Sequence, residues 1–113
     1  MYYFMEHALI DIKNEGEPNN EQWLELMEAI CKEFNFNILS KKIHYFTPQG
    51  LTAFFLLSES HIGVHTWPEH NRAYMDIFSC SKNFKLTKEV LEPIIKKFLN
   101  PSVLNIEIIN REI

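Results

Sequence analysis

The chain has no run of basic residues, and its net charge is -4 over 113 residues. Both facts argue against a nucleic-acid footprint. It has no long apolar run, and the longest is far too short to cross a bilayer. The N-terminal MYYFMEHALIDIK has no basic start, long apolar centre or small-residue cleavage site of the kind that marks a signal peptide. The expected location is therefore the cytoplasm. Cysteine is scarce. Cys31 and Cys80 are the only two, and neither belongs to a CxxC pair. They are read as free thiols, and Cys31, within a helical pattern, as a small core residue.

What is present suits one domain spanning residues 1–113. Hydrophobic residues make up 46% of the chain, with nine Phe, four Tyr and two Trp as large anchors. A chain this short buries a modest share of its surface, so oligomerisation would be an ordinary remedy. Residues 2–12 read as a strand. After the polar loop KNEGEPNN, Asn19 and Gln22 have the spacing of a capping box. Trp23, Met27, Ile30 and Phe34 then mark a helix face. Strands are expected at 37–46 and 51–57, the latter so apolar that it should be central. Another is expected at 73–80. Val90, Leu91, Ile94, Ile95 and Phe98 mark a second helix, with Pro93 either in its first turn or kinking it. A last strand covers 103–109. The order is roughly β-α-β-β-β-β-α-β, with the stretch after residue 57 counted as the sixth strand. This predicts an α+β two-layer sandwich, with an antiparallel-dominated sheet and both helices on one face. The other face then needs cover, which a second subunit could supply.

Reactive side chains crowd into LLSESHIGVHTWPEH, Leu56 to His70. Histidines at a strand end can be ordinary rim residues. His61 and His65 have the spacing of two metal ligands on one helix face, but Ile62-Gly63-Val64 and Thr66-Trp67-Pro68 are poor helix material. The Glu of a zinc-protease motif is also missing, so no metal is assigned. Ser60 and His65 could pair as in a hydrolase. However, Ser60 lacks the glycines of a nucleophile elbow, and that reading leaves Glu59 and Cys80 without roles.

A further reading accounts for the whole cluster. Ser58-Glu59-Ser60-His61 and His65-Thr66-Trp67-Pro68-Glu69 closely resemble the signature of the prokaryotic S-adenosylmethionine decarboxylases, pyruvoyl-dependent enzymes of polyamine biosynthesis. Phe46-Thr47-Pro48-Gln49-Gly50-Leu51-Thr52 is similar to the family segment before the cleavage strand. Asp76-Ile77-Phe78-Ser79-Cys80 is similar to its cysteine strand. Two places depart from the family pattern: Ser81, where Gly is common after the cysteine, and the polar stretch His70 to Tyr74.

The resemblance implies self-cleavage between Glu59 and Ser60, giving a β chain of residues 1–59 and an α chain of residues 60–113. Ser60 attacks the Glu59 carbonyl, and elimination then converts it into the pyruvoyl group that holds substrate as a Schiff base. By the same resemblance His65 is the base in processing, Thr52 supports the oxyanion, and Cys80 returns a proton to the substrate. Phe46, Trp67 and Glu69 contact S-adenosylmethionine, and the site lies at a homodimer interface. The alternatives are a pyruvoyl-dependent decarboxylase of ornithine or arginine, and a non-processing relative that binds without catalysing.

Overall fold

The computed structural model describes residues 4–112. Six strands form one sheet: β1 (Phe4–Asn14), β2 (Ile38–Tyr45), β3 (Leu51–Leu57), β4 (His61–Trp67), β5 (Arg72–Ser81) and β6 (Pro101–Asn110). Their spatial order is β2-β3-β4-β5-β1-β6, and every neighbouring pair is antiparallel. The expected strand at 2–12 is β1; residues 2 and 3 lie outside the described residues. The reactive stretch supplies β4 and, after it, a short 3-10 turn at Pro68–His70. Asn71 follows at φ 55°, a left-handed conformation that Asn tolerates, and reverses the chain into β5.

Two helices, α1 (Asn20–Glu33) and α2 (Lys88–Phe98), complete the order β-α-β-β-β-β-α-β. The capping box closes as expected: Asn19 Oδ1 accepts from Gln22 N at 2.9 Å, and Gln22 Oε1 accepts from Asn19 N at 2.8 Å. Pro93 lies inside α2, beyond its first turn.

Strand alternation places the core between the sheet and both helices. Ala8, Ile10 and Ile12 of β1 and Ile62 and Val64 of β4 are buried there, against Leu26, Met27 and Ile30 of α1 and Leu91 and Ile95 of α2. Cys31 joins this core at 2% exposure, and burial pushes its thiol up to about 11. The expectation that β3 is central holds in the sense that it lies between β2 and β4. Its apolar run has a second cause, though. Ala53, Phe55 and Leu57 face the helices, while Phe54 and Leu56 face the opposite side. On that open side Leu9, Phe54, Leu56, Trp67, Tyr74 and Val103 are between 38% and 45% exposed.

Candidate active site

The β3–β4 turn, Ser58-Glu59-Ser60, is held at both ends. Leu57 N donates to Ser60 O at 3.0 Å, and Ser58 N donates to Asn37 O at 3.1 Å. Asn37 Nδ2 also donates to Ser58 Oγ at 3.0 Å. Ser60 is thereby drawn into the structure, at 8% exposure. Its Oγ accepts from the backbone N of Cys80 on β5 at 3.1 Å. A small cavity of about 160 Å³ opens beside Phe36, Asn37, Glu59, Ser60 and Cys80. The Cys80 thiol is pushed above its ordinary value, first by burial and then by the negative charges of Glu59 and Glu6. Both causes favour the protonated thiol over the thiolate.

Glu6 was not legible as a site residue. It sits on β1 opposite Ser79 and is 2% exposed. Its Oε1 accepts from Leu86 N at 2.7 Å, which anchors the segment between β5 and α2. Glu6→Ala leaves that buried N–H without its partner. It is expected to cost about 1–3 kcal/mol, measured as a lower urea midpoint at unchanged m-value.

The other predicted residues gather elsewhere. Thr52 and His65 are register partners on β3 and β4, and Thr52 Oγ1 lies 3.2 Å from His65 Nδ1. The His65 and Trp67 rings are 6.3 Å apart. Phe46, just past β2, is fixed by its N–H to Gly50 O at 2.9 Å. Gly50 has φ 108°, a backbone that L side chains rarely adopt. Glu69 comes from the 3-10 turn, and Gln49 Nε2 donates to it at 3.4 Å. Phe46, Gln49, Thr52, His65, Trp67 and Glu69 line a pocket of about 420 Å³.

The chain thus gathers the predicted residues into two clusters, one around Ser60, Glu59 and Cys80 and the other around Thr52, His65, Trp67, Glu69 and Phe46. Ser60 and His65 are five residues apart along extended chain, roughly 16 Å at strand rise. Within one chain His65 therefore cannot reach the Ser60 hydroxyl. The same spacing rules out a Ser60–His65 hydrolase pair in one chain. It also rules out a shared ion for His61 and His65, which lie on one strand rather than one helix turn. His61 points to other company: its Nε2 is 2.8 Å from Asp76 Oδ2, as is Nε2 of His7. Burial would raise the Asp76 carboxyl, but the hydrogen bonds and charge of His61 and His7 outweigh it, and the net shift is downward.

Residues 6–112 match the family model described as S-adenosylmethionine decarboxylase. An S-adenosylmethionine decarboxylase proenzyme of Methanococcus maripaludis strain C5 is 41% identical over 99 residues, covering 88% of this chain and 77% of the relative. A proenzyme of the same description from Clostridium botulinum strain Loch Maree is 37% identical over 93 residues, covering 80% of each. The crystal structure of the adenosylmethionine decarboxylase from Aquifex aeolicus superposes with a TM-score of 0.77 at 28% identity. That match covers all of this chain and 94% of the other.

Proposed function

Since this chain belongs to the S-adenosylmethionine decarboxylase family, we propose that it cuts itself between Glu59 and Ser60 and uses the resulting pyruvoyl group to decarboxylate S-adenosylmethionine. The observation that carries the reading is the setting of Ser60. It is a nearly buried serine at a strand end, its oxygen held by Cys80 N, beside a raised thiol and a small cavity. Those surroundings fit a pyruvoyl group made in place from that serine.

In this reading the Ser60 hydroxyl attacks the Glu59 carbonyl and turns the amide into an ester. A base takes the Ser60 α proton, and the Glu59 carboxylate leaves. Hydrolysis of the remaining dehydroalanine releases ammonia and leaves residues 1–59 and 60–113. The pyruvoyl group supplies an electron sink for the bond broken as CO2 departs. Cys80 delivers the proton that replaces CO2 on the substrate's α carbon. Aromatic faces at Phe46 and Trp67 suit the adenine ring and the sulfonium charge, and the Glu69 carboxylate suits the ribose diol.

His65 serves as the base, with Thr52 as its hydroxyl neighbour, but it acts from a second subunit. The open side of the sheet carries the apolar residues that a partner would cover, and Thr52, His65 and Cys80 stand on it by strand alternation. A two-fold pairing of these sides sets one chain's Ser60 and Cys80 against the other's Thr52 and His65. The protein then works as a homodimer, in the cytoplasm, with both cysteines free as they are here.

Purified protein supplied with S-adenosylmethionine, ornithine or arginine in turn is expected to release CO2 from the first alone. Cys80→Ala that has matured, judged by intact mass, should lose turnover by at least about a hundredfold. Its 60–113 fragment should accumulate alanine in place of pyruvoyl once substrate is added, because the proton lands on the cofactor carbon instead. Release from ornithine or arginine would reassign the substrate. Wild-type turnover by matured Cys80→Ala would remove Cys80 from proton transfer.

A further inference from the structure

His61 belongs to the most recognisable stretch of the sequence, yet neither processing nor decarboxylation uses it. It forms a cluster that the sequence scatters over 70 positions, with His7 from β1 and Asp76 from β5. These strands are neighbours in the order β4-β5-β1, and alternation puts all three side chains on the open side of the sheet. Both Nε2 atoms lie 2.8 Å from the same oxygen, Asp76 Oδ2. The donor atoms all fall within 4.8 Å of one another.

The cluster is built rather than incidental. Gly63 lies opposite Asp76 in the β4–β5 register, and a Cβ there would come within 3.2 Å of Asp76 Oδ1. The glycine leaves the room in which the carboxylate lies. The ring of Phe54 stacks on His61 at 5.3 Å, and Phe78 stacks on His61 at 6.2 Å and meets His7 edge-on at 5.9 Å. The imidazoles are therefore held in place by aromatic walls with their Nε2 edges toward Asp76.

We infer that His7, His61 and Asp76 form a binding site for a divalent transition-metal ion of the imidazole-preferring class, such as Zn2+ or Co2+. Two imidazoles and one carboxylate are a recurrent donor set for such ions, with one position or more left open. At metal–donor distances of about 2.0–2.2 Å, tetrahedral neighbours stand about 3.3 Å apart. Each nitrogen–oxygen pair need open by only about 0.5 Å from the present 2.8 Å to admit the ion. The site is distinct from the residues assigned to the reaction, and it does not depend on the chain being cut. Because His61 follows Ser60 directly, an ion here would tie the new end of the second fragment to β1 and β5.

The test is a Co2+ titration of the purified protein, cut or uncut, after chelator treatment. One equivalent is expected to bind with the visible absorption of low-coordinate Co2+, and Zn2+ should bleach it. Asp76→Asn and His7→Gln preserve size and hydrogen-bonding capacity, and each is expected to weaken binding by more than about tenfold, whereas His70→Ala should bind as the parent does. In nitrogen-resolved NMR spectra of the unaltered protein, Zn2+ should shift the rings of His7 and His61 and leave His44 and His70 in place. This reads the site even where a variant folds poorly. Absence of Co2+ binding by the parent overturns the proposal, as does binding that moves other histidines or survives both substitutions. In that case the cluster is a hydrogen-bonded brace only.

Discussion

Ser60→Ala is expected to remain a single chain of full length under conditions where the parent protein yields fragments of residues 1–59 and 60–113 without added protease. The hydroxyl oxygen has two tasks in the proposed cleavage. It attacks the Glu59 carbonyl and then leaves from Cβ as part of the Glu59 ester, and alanine can do neither. The effect should be complete rather than partial. The same oxygen also accepts from Cys80 N, so the substitution leaves a part-buried N–H unpaired. A stability loss of about 1–3 kcal/mol is expected alongside the loss of cleavage. Ser60→Cys separates the two effects, since it keeps a nucleophile and a leaving group, and it should cleave, though more slowly. Intact mass of each protein reads the outcome, and a Ser60→Ala protein still cut at this bond would overturn the serine mechanism.

Ser60→Ala and His65→Ala, each uncut when made alone, should restore cleavage when produced together in one cell. The reason is geometric. The backbone positions of Ser60, just before β4, and His65, within it, stand roughly 16 Å apart along extended chain, and strands do not fold back on that scale. In a mixed dimer, the chain with His65→Ala keeps its Ser60 and meets an intact His65 from its neighbour. That chain should be cut; the Ser60→Ala chain should not. Differently tagged copies make the two products distinguishable by mass. If both singly altered proteins stay whole in the mixture, while sedimentation shows that mixed dimers have formed, His65 does not act across the interface.

Much of the fold was legible because local signals agreed with one another. The Asn19–Gln22 capping box, the spacing of Trp23, Met27 and Ile30, and the alternation of Ala8, Ile10 and Ile12 each reflect short-range physics, and each appears in place. The residues of both clusters are singled out by their resemblance to the family's motifs. Their division could not be read, because two residues of one motif lie close in sequence whether they share a helix turn or are stretched along a strand. Glu6, His7 and Asp76 illustrate the other limit. Glu6 and His7 meet Leu86 and Asp76 only through β1's pairing with β5, contacts 80 and 69 positions apart that no local pattern announces. The apolar run of β3 points to a central strand, which it is between β2 and β4, but not to how its two faces are covered. One of those faces is covered by the helices, and the other is left open.

The strand order also decides what a cut between Glu59 and Ser60 leaves behind. Strands β1, β2 and β3 belong to the first fragment, and β4, β5 and β6 to the second, yet the sheet runs β2-β3-β4-β5-β1-β6. The first fragment's β1 is laced between two strands of the second, and β4 is zipped to β3 along the hairpin whose turn has been opened. The fragments therefore stay interlocked, and no ladder of hydrogen bonds is lost with the peptide bond. What changes is the way back from the denatured state. Before the cut, one chain has only to find itself; afterwards two pieces must meet, so refolding becomes a second-order event that dilution alone can prevent. Maturation in this architecture would work as a ratchet: the polypeptide assembles once, as a unit, and after cleavage the mature form persists chiefly because it does not come apart.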